Sequence, residues 1–144
     1  MYLGLKNLHS LMPYVLLTIF LLAIITSIIS YYKKKPHTEA DNKNGLIVMI
    51  VAHLQLVIGL ILYFVSPKGA GSLSQITEAM EDPVRRLYAL EHPVCMVLAI
   101  VFITAGHLKA KKGASSHQKH KVKSIYFLIA LFFILIKIPW SVWP

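Results

Sequence analysis

At 144 residues the chain has the length of one domain, yet 56% of its residues are hydrophobic and only 15% are charged. A soluble domain of this size cannot hide that much apolar surface in its own core, so a large share must face lipid. The formal charge of +9 sits in short lysine clusters between apolar runs, which is the pattern of membrane-protein loops and argues against nucleic acid as a partner. The one cysteine, Cys95, lies inside an apolar run, which excludes thiol chemistry that needs a cysteine pair.

Taken in chain order, four stretches lack charge and approach the length that crosses about 30 Å of hydrocarbon at about 1.5 Å per residue. They are 11–32, 46–65, the shorter 93–108, and 124–140, the last extended past Lys137, whose long side chain can snorkel to the interface. Tyr31, Tyr32, Tyr63, Tyr126, Trp140 and Trp143 mark the ends of these runs, as interfacial aromatic belts do. The runs are continuous rather than alternating, so helices and not a β-barrel are expected. The expected fold is an all-α membrane protein, a single domain over 1–144 built as a four-transmembrane-helix bundle in contact with the lipid bilayer.

Orientation follows from charge. The loops after the first and third runs carry Lys33, Lys34, Lys35, Lys43, Lys109, Lys111, Lys112, Lys119, Lys121 and Lys123. The opposite side carries Lys6, Lys68, Arg85 and Arg86, balanced by Glu78, Glu81, Asp82 and Glu91. Ten basic residues against four put the lysine-rich loops in the cytoplasm and both termini outside. The first run is expected to be a span and not a cleavable leader, because it is too long and its basic cluster follows it.

Between the second and third runs, Leu73, Ile76, Met80, Val84, Leu87 and Leu90 recur every three or four residues. That spacing predicts an amphipathic helix over 73–91 lying on the outer surface. Ser72 and Gln75 have capping-box spacing, Asp82-Pro83 reads as a restart, and Glu91-His92-Pro93 reads as the corner where the chain enters the membrane.

No span contains an aspartate or glutamate, so proton-coupled export, which needs an intramembrane carboxylate, is a poor reading. Histidine is what the chain offers instead. His37, His117 and His120 fall in lysine-rich loops and are expected to be solvated. His9 and His92 open two parallel spans on the outer side, so they share a depth and can face each other across the bundle, as two axial ligands of one haem must. His53 lies about 12 Å into the second span and His107 one turn from the inner end of the third. Their depths differ by roughly 9 Å, a poor match for one haem. His53 is kept as a cofactor-binding candidate, with an interhelical hydrogen bond as its structural alternative. Arg85 and Arg86, with Lys68, are candidate partners for haem propionates, or else for Glu78, Glu81 and Glu91 on the surface helix. No Cys-x-x-Cys-His is present, so covalent attachment is excluded.

His9-Ser10-Leu11-Met12-Pro13-Tyr14 opening a span, Gln55-Leu56-Val57-Ile58-Gly59 within the next, and His92 opening the third resemble one four-helix half of the haem A synthase family. They are more similar still to small bacterial four-span proteins described as cytochrome b-like. The resemblance covers most of the chain and implies that His9 and His92 ligate a haem axially from the outer side. Lys6 and Ser10 stand where the synthase pattern has a glutamate and an arginine, which implies holding a haem b rather than modifying one. Two functions are therefore carried forward. One is a b-type haem protein passing electrons to or from a quinone pool or respiratory partner, an electron carrier or subunit more than a stand-alone enzyme. The other is a cofactor-free accessory or assembly subunit of a larger membrane complex, with its histidines serving as interhelical hydrogen bonds.

The orientation is testable directly. In a Cys95→Ser background, a cysteine at Gly71 is expected to react with a membrane-impermeant thiol reagent in intact cells, and one at Ala114 to stay protected. The reverse labelling overturns the lysine count.

Overall fold

The computed structural model describes residues 2–141 and 143, apart from the side chains of Ser72, Leu73, Gln75 and Ile76. The expected Ser72–Gln75 capping box and the first two positions of the apolar stripe thus lie outside the described residues. Those residues form helices and no strand: α1 (Tyr2–Tyr32), α2 (Glu39–Val65), a 3-10 turn (Ala70–Gln75), α3 (Ile76–Glu81), α4 (Pro83–Arg86), a π-helical turn (Leu87–Glu91), α5 (His92–Lys111) and α6 (Ser116–Ile136).

Local chemistry sets several of these boundaries. Thr38 and Asp41 form a reciprocal capping box at the start of α2: the Thr38 N–H donates to the Asp41 carboxylate at 2.8 Å, and the Asp41 N–H donates to the Thr38 hydroxyl at 3.3 Å. Ser115 caps α6 by accepting from the Gln118 N–H. Asp82 accepts from the Val84 and Arg85 N–H groups, with Pro83 at the first helical position, so the chain restarts at Asp82-Pro83 as expected.

Three helical stretches are long and apolar enough to cross a membrane: Tyr2–Tyr32, Glu39–Val65 and Pro83–Lys111. Each begins earlier than expected, and in two cases this moves a histidine. α1 begins at Tyr2, so His9 lies inside the helix and not ahead of it. The third runs on through α4, the π-helical turn and α5, and the expected corner at Glu91-His92-Pro93 is absent. His92 is helical (φ −63°, ψ −51°), and its N–H reaches back five residues to the Leu87 carbonyl. The wider turn absorbs one extra residue just where Pro93 has no N–H to contribute. The surface segment is consequently shorter than expected, limited to the 3-10 turn and α3. Of the remaining stripe residues, Met80, Val84 and Leu90 are exposed and Leu87 is half-buried.

α1 packs against α2 and α6, and α5 packs against the same two helices. Where they meet, the side chains are mostly small: Ala23, Ser27, Ala52, Ala99 and Ala130 are buried, around Phe20, Val48, Ile103 and Phe127. The outward faces carry Leu22, Ile25, Ile47, Leu54, Phe64, Val101 and Phe132, all exposed and apolar. Small residues inside and large apolar residues outside are consistent with contact to lipid, where helices associate by close packing rather than by escape from water.

Phe127 is fully buried and packs on Phe20 with ring centres 5.1 Å apart. Phe127→Ala is expected to destabilise the protein by about 3–5 kcal/mol, whereas Phe132→Ala on the exposed face should cost little. Thermal unfolding of the purified protein in detergent checks the contrast.

Candidate functional site

The histidine-bearing end of the molecule is organised by two prolines. A helical residue donates its N–H to the carbonyl four residues earlier, and proline cannot. Pro13 therefore leaves the His9 carbonyl without its helical donor, and Pro93 does the same to the Ala89 carbonyl. A buried carbonyl without a donor is costly, so each must be answered from another helix. Both answers come from α2. The Gln55 amide Nε2 donates to the His9 carbonyl at 2.9 Å, and the Tyr63 hydroxyl donates to the Ala89 carbonyl at 2.9 Å. Gln55, Gly59 and Tyr63 are spaced by four residues and so form one stripe on α2. Gly59 occupies the middle because the His9 ring lies against it: a Cβ there would meet His9 Cε1 at 2.8 Å. One stripe thus positions α1 at His9 and the α5 stretch just ahead of His92.

The rings of His9 and His92 stand with their centres 6.2 Å apart and their planes at 87°. Each ring has a fixed neighbour. The His92 Nδ1–H donates to the Lys137 carbonyl at 2.8 Å, which belongs to the end of α6 where helical carbonyls lack intrahelical donors. That bond puts the proton on Nδ1 and leaves Nε2 bare, the state a metal-ligating imidazole needs. His9 Nδ1 lies 3.1 Å from Gln55 Nε2, while Gln55 Oε1 is buried without a partner. A half-turn of this amide would give a His9 Nδ1–H an acceptor and free its Nε2 as well, in exchange for the bond to the His9 carbonyl.

The chain beyond α6 ties the two histidine helices together. Lys137 pairs with Glu91 at 2.8 Å, next to His92, and Glu91 also accepts from Arg86 at 3.0 Å. Trp143 donates its indole N–H to the Ser10 carbonyl at 2.8 Å and stacks on Tyr14 at 4.7 Å. Between the helices is a cavity of about 350 Å³, lined by His9, Gln55, Gly59, Tyr63, His92, Met96 and Trp143, with Leu16, Ala52 and Ile103 beneath and Lys6, Lys68 and Tyr88 also on its wall. That volume is within the range of small-molecule and cofactor sites, and the wall is mostly apolar.

Of the residues singled out in the sequence, His9 and His92 are brought together. His53 is not: its ring is exposed on α2 and its Nδ1–H donates to the Met49 carbonyl one turn back at 2.8 Å. His107 is buried against Gly45, away from the cavity. Arg85 lies near Glu78 and Asp82, and Arg86 bonds Glu91 and the Met80 carbonyl, so both engage their own segment and neither lines the cavity. Sequence reasoning missed Tyr63, Lys137 and Trp143 as parts of the site. For Tyr63 a signal existed: each proline implies an orphaned carbonyl four residues earlier. Lys137 and Trp143 act through a backbone carbonyl and a tail contact that no spacing reveals.

Compared with known protein families, curated proteins and solved structures, the chain matches none.

The proline argument predicts a coupling. Gln55→Leu should destabilise the protein by about 1–3 kcal/mol by stranding the His9 carbonyl. In a Pro13→Ala background the restored N–H takes over that carbonyl, and the same substitution should cost less. A double-mutant cycle in thermal unfolding measures the difference; equal costs in both backgrounds would refute the argument.

Proposed function

We propose that this protein is a four-span bacterial inner-membrane protein that holds one b-type haem between His9 and His92 and exchanges electrons with a membrane or respiratory partner. In this reading α6 is the fourth span, both termini are outside, and the lysine-rich end is cytoplasmic. The observation that carries it is the separation of the two rings. The two imidazoles would hold the group between them, since both line the cavity and their ring centres stand 6.2 Å apart.

The remaining features fit the same group. When bound, b-type haem supplies reversible one-electron exchange, with axial ligand identity and burial setting its potential. The Lys137 carbonyl holds the His92 proton on Nδ1 and leaves Nε2 free on a residue that lines the cavity. Gly59 leaves the space in which the His9 ring sits. Leu16, Ala52 and Ile103 exclude water from the cavity floor. Lys6 and Lys68 take over the propionate role first considered for Arg85 and Arg86, because they are the cations on the cavity wall. The competing reading, a cofactor-free accessory subunit, draws on one observation: each ring already has a neighbour, Gln55 or the Lys137 carbonyl, as a purely structural histidine would.

Protein purified from haem-replete cells is expected to show a Soret band and, on reduction, sharp low-spin α and β bands. His9→Ala and His92→Ala should each shift the spectrum to high spin or lose the haem, while His53→Ala and His117→Ala leave it unchanged. A colourless wild-type protein would decide for the accessory-subunit reading.

A further inference from the structure

The lysine-rich end holds a second group of histidines, and it does not behave as loop residues should. His120, on the second turn of α6, is fully buried, and neither of its ring nitrogens has a hydrogen-bond partner. Burying a polar group unpaired costs about 1–3 kcal/mol, and a native structure that does so normally answers it with water or an ion. The nearest ring is that of His37, from the segment joining α1 to α2, with ring centres 4.9 Å apart and planes at 46°. His37 is held in place through its backbone, whose N–H donates to the Ser116 hydroxyl at 2.9 Å.

We infer that His37 and His120 form a binding site for one divalent transition-metal ion of the copper–zinc class. Two imidazoles bonded to one ion at about 2.0–2.1 Å, and meeting at a near-tetrahedral angle, hold their ring centres about 5 Å apart rather than the 6 Å of opposed ligands. The 4.9 Å separation accommodates neighbouring ligands on one ion. Imidazole suits copper, zinc and nickel, with copper(II) bound most tightly in the divalent series. Metal binding also needs the rings unprotonated.

The charges around the pair have identifiable positions. Asp41 is within electrostatic reach of both rings and supplies a negative charge there. Lys123 is buried, and its ammonium donates to the Asp41 backbone carbonyl at 2.9 Å. Among the described residues no group of three histidine, cysteine or carboxylate side chains gathers around one point. The ion would therefore be completed by water reaching it past the half-exposed His37. Nothing in this site depends on a haem at the opposite end.

The test is copper(II) titration of chelator-stripped, full-length protein, read by electron paramagnetic resonance. Wild type is expected to take up one equivalent with the splitting of two imidazole nitrogens. His37→Ala and His120→Ala should each lose that equivalent, and His117→Ala, whose ring stacks on Tyr31 instead, should keep it. If the buried His120→Ala protein fails to fold, His37→Ala decides alone, since His37 lies on an inter-helix segment outside the core. Zinc should compete for the same equivalent. Unchanged copper binding in His37→Ala, or no nitrogen-coordinated copper in wild type, overturns the assignment and leaves water as the partner of His120.

Discussion

The arrangement of the histidine end depends on one constraint: two prolines break the backbone ladder, and a neighbouring helix must repair both gaps. Pro13 and Pro93 leave the His9 and Ala89 carbonyls without their helical donors. Gln55 and Tyr63 on α2 supply the missing donors. In a lipid-exposed protein this is a stronger organising force than in water, because no solvent is present to satisfy a stray carbonyl. α1, α2 and the α5 stretch are consequently held in register at the level of His9 and His92.

The same stripe accounts for the close approach that the site requires. Gly59, midway between Gln55 and Tyr63, lets the His9 ring rest against the α2 backbone. Farther along, Gly45 performs the same service for His107, where an added Cβ would meet Nδ1 at 2.7 Å. Between these two levels the helices touch through alanines and Ser27 around Phe20 and Phe127. Helices that associate by packing need such small residues at their contacts and can spend polar groups only where partners exist.

The two histidine pairs differ in geometry. His9 and His92 stand with ring centres 6.2 Å apart and planes nearly perpendicular. His37 and His120 stand 4.9 Å apart with planes at 46°. Their surroundings differ too. The first pair borders a largely apolar cavity and is backed by a carbonyl and an amide. The second feels the charges of Asp41, Lys119 and Lys123.

The sequence by itself determined the helical character and helices long and apolar enough to cross a membrane, because a high apolar content interrupted by lysine clusters has few other physical solutions. It also singled out His9 and His92, because depth along a span is a matter of counting residues. It misjudged His120, placed in a solvated loop by its lysine neighbours but buried because α6 begins at Ser116 and turns that position inward. It misjudged the entry to the third stretch too, since a π-helical turn that carries a helix through Pro93 leaves no compositional mark. Only the tertiary structure decided that Arg85 and Arg86 engage their own segment, that Lys6 and Lys68 reach the cavity, and that Lys137 and Trp143 close the histidine end. Those outcomes rest on contacts between helices far apart in the chain, and one-dimensional spacing carries no information about which faces will meet.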